Sequence, residues 1–197
     1  GLNESLLFGC RKIRVLYYFA CFLLAAWGIT GLRKDRIFPQ GKIPGYLFFL
    51  TFTIWGNLMA LAYYALSLLV VVRPEKKFRR ARRIAVHIAV CSYFVIFVFY
   101  TSALSYMDVV RIDKIINQDQ AKFEWYSSVL KHFIFPVLIW IEVLSENFKL
   151  KNKDRKYVLG VVLLYGIVNI IATKLFLKFP LYPGLTWDNL YSLFFVL

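Results

Sequence analysis

A chain of 197 residues that is 60% hydrophobic and 19% aromatic carries more apolar side chains than a water-soluble core of that size can hide. The 18% of charged residues stand in short runs between long apolar stretches. The expected fold class is therefore an all-α polytopic membrane protein, one domain over residues 1–197, built as a bundle of six transmembrane helices. The net charge of +14 would raise nucleic acid as a partner for a soluble protein, but here the basic residues flank apolar runs and no recognition module accompanies them, so nucleic acid is not expected.

Span one is expected over 13–32, bracketed by Arg11, Lys12 and Arg14 before it and by Arg33, Lys34 and Arg36 after it. It is long and lacks a small-residue cleavage site, so it reads as a retained span rather than a cleaved leader. Span two is expected over 45–72, opening after Pro44 and closing at Pro74 and the basic run KKFRRARR. Span three covers 84–107 and is followed by a polar connector. Span four covers 125–144, with Trp125 and Tyr126 as an interfacial anchor. Span five covers 157–179. The last apolar run, 185–197, is short for a span and is expected to continue past residue 197.

Orientation follows from the basic residues. The N-terminal flank holds three, the segment after span two seven and the segment after span four five, against ten on the other side. The richer side is expected to be cytoplasmic, with both termini on it. The run from Arg73 to Arg83 holds seven basic residues against the single acid Glu75 and should rest on anionic lipid headgroups. Cys10, Cys21 and Cys91 have no metal-ligand spacing. Cys10 is juxtamembrane, where palmitoylation is an option; Cys21 and Cys91 read as small core residues.

Polar groups inside apolar spans are functional candidates because desolvating them is costly. They are Thr51, Thr53 and Asn57; His87, Ser92, Thr101 and Ser102; His132 and Glu142; and Asn169, Thr173 and Lys174. Hydroxyls in such helices usually return to the carbonyl one turn back, and Asn57 and Asn169 read as interhelical links. Glu142 needs either a loop Lys or an intramembrane partner. His132 lies about 10 Å into span four at 1.5 Å per residue, and Pro136 four residues later withdraws the N–H that its carbonyl would accept. The helix should be open there. With span two starting at 45, Thr51 lies at a similar depth, so a hydroxyl and an imidazole share one layer if the two spans are neighbours.

The Leu50-Thr51-Phe52 step, His132 with Pro136 and Glu142 in HFIFPVLIWIE, and Tyr182-Pro183 resemble the androgen-induced / androgen-dependent TFPI-regulating protein family. The resemblance covers most of the chain in order and spacing. It implies a multi-pass protein of the endoplasmic reticulum and an intramembrane threonine hydrolase of fatty acid esters of hydroxy fatty acids. Thr51 would be the nucleophile and His132 the catalytic histidine; Asn57, Pro136 and Glu142, polar or helix-opening positions in the same two spans, are supporting candidates. The chain departs from the pattern at Ile54, where the family has Asp, at Val129, where it often has a second His, and at Phe133 and Ile134, which replace small polar residues. The alternative reading is an inactive family member serving as an accessory subunit of a membrane-protein complex, with other membrane proteins as its partners. With only two histidines, in different spans, no metal cluster and no cofactor are expected.

Overall fold

The computed structural model describes residues 10–30, 36–38, 41–43, 51–101, 118–146, 148 and 151–177. Helix α1 is Arg11–Thr30, α2 Phe52–Val72, α3 Lys76–Phe99, α4 Gln118–Val129, α5 Phe135–Glu146 and α6 Arg155–Ile171. A π-helical turn, Leu130–Ile134, joins α4 to α5 in one rod, and a second, Ala172–Leu177, continues α6. Five helical segments among the described residues are long and apolar enough to cross a membrane. The run 185–197 and the Tyr182-Pro183 pair lie outside the described residues.

Three starts lie about two turns from expectation, while α1 and α6 start within a turn of theirs. Helix α3 begins at Lys76 rather than 84, and α4 at Gln118 rather than 125. Lys, Arg, Gln and Ala are good helix formers, and long basic side chains keep their heads in water while their stems lie on apolar surface. Hydropathy marks where a helix meets the apolar layer, not where it starts. Helix α2 begins at Phe52 rather than 45, because Thr51 has an extended backbone (φ −84°, ψ 141°) and stands as the N-cap, a position that threonine favours. Thr51 therefore sits at the mouth of the helix, not two turns inside it. Between α1 and α2, two three-residue strands form an antiparallel ladder, β1 Arg36–Phe38 and β2 Gly41–Ile43, with Arg36 opposite Ile43. Strands that short leave no readable alternation in a sequence.

Helix α2 is the centre of the bundle, packed against α1 and α3, while α3 also packs against α5 and α6. Gly56 allows the closest approach: a Cβ there would lie 2.6 Å from Ile96 Cδ1. Tyr63, Tyr64, Val86, Tyr93, Phe135 and Ile139 fill the interior. Leu16, Phe19 and Leu23 on α1, and Leu163, Ile167 and Leu175 along α6 and its π turn, face outward. Cys91, expected in the core, is also on the outer surface. At one end, Asp154 is fully buried between Arg80 (Nη2 to Oδ1, 3.1 Å) and Arg83 (Nη2 to Oδ2, 3.0 Å), which ties the loop before α6 to the basic start of α3. The basic segments after spans two and four thus meet at one end. The N-terminus of α2, the C-terminus of α3 and the start of α4 share the other.

Candidate functional site

The π turn is the local consequence of Pro136. With no N–H at 136, the backbone loses an α-helical bond at this level, and the amide of Phe135 reaches back five residues to the carbonyl of Leu130. The turn presents His132 toward α2 and α3. The imidazole stacks flat on Tyr100 of α3, with ring centroids 3.9 Å apart and planes 7° from parallel. His132 Nδ1 lies 2.9 Å from the carbonyl oxygen of Ser128 and 3.1 Å from the Ser128 hydroxyl, which in turn is 3.0 Å from Tyr100 Oη. A carbonyl can only accept, so Nδ1 donates here, and in the neutral ring Nε2 keeps its lone pair. That lone pair faces the hydroxyl of Thr53 at 3.5 Å.

The hydroxyl meeting the histidine is therefore that of Thr53, in the first turn of α2. Thr51 stands two residues earlier, buried, and its carbonyl accepts from the amides of Ile54 and Trp55. Its hydroxyl does not cap the helix. The amides ahead of Ile54 precede any intrahelical acceptor and point out of the helix end, the positive end of its dipole. Tyr165 of α6 packs on Phe52 at 4.6 Å and on Trp55 at 5.4 Å between ring centroids, closing the other side of this helix mouth.

Polar support comes from positions the sequence reading did not single out. Tyr100 and Ser128 hold the imidazole. Glu124, Ser127 and Lys131 of the α4 rod are each buried beside it in sequence, and the Ser127 hydroxyl has no hydrogen-bond partner. Ile54 and Val129 add nothing polar. The spacing of Ser128 four residues before His132 was the one signal available in the sequence. Pairing across helices, as with Tyr100, carries none.

The remaining candidates have other surroundings. Asn57 is fully buried one turn inside Thr53, its Oδ1 accepting from Tyr93 Oη at 2.8 Å and its Nδ2 without a partner. Glu142 lies ten residues past His132 and is buried among phenols. Tyr17 donates to Oε1 at 2.8 Å and Tyr63 to Oε2. Arg82 extends that network, donating to Tyr18 Oη at 2.7 Å, Ser67 Oγ at 2.9 Å and Tyr63 Oη at 3.3 Å. His87 Nδ1 donates to the carbonyl of Arg83, and Thr101 returns its hydroxyl to Phe97. Asn169 donates to Tyr165 on its own helix, and Thr173 is buried with its hydroxyl unpartnered. Among the described residues no group of three His, Cys, Asp or Glu could hold a metal. In comparison with known proteins, no family model, no curated protein and no solved structure matches this chain.

Proposed function

We propose that this chain is an integral membrane hydrolase of lipid esters. In this reading a threonine at the mouth of α2 is the nucleophile and His132 the base. One observation carries it: the Ser128 carbonyl engages His132 Nδ1 at 2.9 Å, and the opposite ring nitrogen, Nε2, lies 3.5 Å from the Thr53 hydroxyl. A hydroxyl at its free pKa attacks carbonyls poorly and needs a base at that position. Nε2 would take the Thr Oγ proton as Oγ bonds to the ester carbon. It would return that proton to the departing alkoxide, then activate a water that releases the fatty acid from the acyl-threonine. The acyl chain would lie among the phenyl rings of Phe97 and Phe133, so the substrate need not leave the bilayer.

The 3.5 Å separation favours Thr53 as nucleophile, while the family resemblance favours Thr51. Purified protein would be assayed for hydrolysis of a fatty acid ester of a hydroxy fatty acid and for labelling by a fluorophosphonate. His132→Ala and Thr53→Ala should each lose about 10²–10⁴-fold in rate, with Thr51→Ala retaining activity. The opposite result for the two threonines would move the nucleophile to Thr51. Full activity in all three variants would end the hydrolase reading.

The same proposal places the protein in the endoplasmic reticulum membrane with six spans and both termini cytoplasmic. The basic end, where Lys76, Lys77 and Arg79 are exposed, would then rest on anionic headgroups of the cytoplasmic leaflet. Lys76→Glu/Lys77→Glu should weaken co-purification with phosphatidylserine at low salt. Unchanged lipid recovery would leave these residues only an orienting role.

A further inference from the structure

Three helices build two consecutive layers in the groove that holds His132. The outer layer takes Thr53 from α2, Tyr100 from α3 and His132 from the π turn, with the imidazole stacked on the phenol. The next layer takes Asn57 from α2, Tyr93 from α3 and Phe135 from α5, with Phe135 stacked on Tyr93 at 6.2 Å. Thr53 and Asn57 are four residues apart and so share a face of α2, about 6 Å apart along its axis. Tyr100 and Tyr93 are seven apart on α3, again one face. Asn57 thus lies on the same helix face as Thr53, one turn deeper in the bundle than the Thr53–His132 pair.

Asn57 is fully buried and only half satisfied. Tyr93 fixes its Oδ1, which also fixes the plane of the amide, and the two N–H groups of Nδ2 have no acceptor. A buried donor left unmade costs the desolvation of that group, so Nδ2 has capacity for an acceptor, a water or a ligand oxygen. An oriented, water-excluded donor beneath a nucleophile matches what a developing oxyanion requires. We propose that Asn57 Nδ2 donates to the carbonyl oxygen of the bound ester, with Tyr93 as the positioning residue that aims it. The ligand class is an acyl ester whose carbonyl enters the groove below Thr53. This inference rests on the hydrolase reading and on Thr53, since Asn57 is six residues from Thr51, off its face of the helix.

The test combines kinetics with stability on the full chain in detergent micelles, with p-nitrophenyl decanoate as the substrate. Asn57→Leu removes the unpaired donor at similar volume and should cost about 10²–10³-fold in kcat with little change in KM. Tyr93→Phe frees the amide to turn and should lose less, again in kcat. The Asn57→Leu/Tyr93→Phe double variant leaves no orphaned group, so its melting temperature should equal or exceed that of the wild type while kcat stays low. Asn57→Ala, read on the monodisperse fraction, replaces Asn57→Leu if the latter does not fold. If kcat holds within twofold in the Asn57 variants while His132→Ala is inactive, the oxyanion role is overturned and the hydrolase stands. A fall in melting temperature without a fall in kcat would mean that Asn57 serves only structure, through Tyr93 or a buried water. No turnover and no fluorophosphonate labelling by the wild type would overturn both.

Discussion

The bundle holds two polar clusters on the same two rods, ten residues apart on each: Thr53 with His132, and Tyr63 with Glu142. Ten residues are about 15 Å of helix, half the thickness of a bilayer core. The two clusters differ in how closely their central ionisable group is held. Around Glu142 both carboxylate oxygens accept from phenols and Arg82 donates to Tyr63, Tyr18 and Ser67, although the neighbouring Tyr64 hydroxyl has no partner. One carboxylate joins α1, α2, α3 and α5. Around His132 the arrangement is open: Nε2 and Thr53 stand at a long 3.5 Å, and Asn57 and Ser127 hold buried polar atoms without partners. A closed network stabilises and specifies packing, whereas an open one keeps hydrogen-bonding capacity for something that arrives. Burial alone does not tell the two apart; the pairing of the central ionisable group does.

The contrast can be broken at several points. The largest effect should be at His132, where His132→Ala loses about 10³-fold in ester hydrolysis, a barrier change of about 4 kcal/mol, while the melting temperature in micelles stays put. Glu142→Ala should do the reverse. It strands the Tyr17 and Tyr63 hydroxyls in an apolar core and should cost about 3 kcal/mol of stability, with kcat per folded molecule retained. A catalytic defect at Glu142 without a stability defect would erase the distinction between the clusters.

A smaller loss, about 1–2 kcal/mol, is expected for Asp154→Ala, because Asp154 is buried but Arg80 beside it is nearly half exposed and its charge is screened. Thermal melts at low and high salt should converge for this variant more than for the wild type. The smallest effects compare two helical glycines. Gly56→Ala pushes a methyl against Ile96 where α2 meets α3 and should cost about 1 kcal/mol, whereas Gly160→Ala meets open space and should be neutral or gain about 0.5 kcal/mol from helix propensity. Equal melting temperatures for the two would mean that α3 can yield at Ile96.

Much of this was legible in the residues. Five apolar runs became five helices, and His132 with Pro136 marked the place where a helix opens, which takes the form of a π turn. The rest was not legible, for physical reasons. Basic and amide side chains extended α3 and α4 past the points where hydropathy fades. Thr51 proved to be a cap because an extended residue ahead of a helix has the same composition as one inside it. Thr53, Tyr100 and Tyr93 gain their roles from neighbours on other helices, and one sequence without structure holds no record of adjacency. Glu142 showed that something had to pair with it but not that phenols would.

The π turn at 130–134 has a consequence for the length of the chain. A π turn is an α-helix carrying one residue more than its hydrogen bonds require. Deleting Phe133 together with Pro136→Ala should let α4 and α5 fuse into an unbroken helix without rotating either half against its neighbours. Ser128 would keep its place, and Glu142 would keep Tyr17 and Tyr63. His132 alone would lose the bulge that presents it. The rod thus contains one extra residue, held by Pro136, that presents His132 to α2, and a chain without both should keep the bundle and lose that presentation.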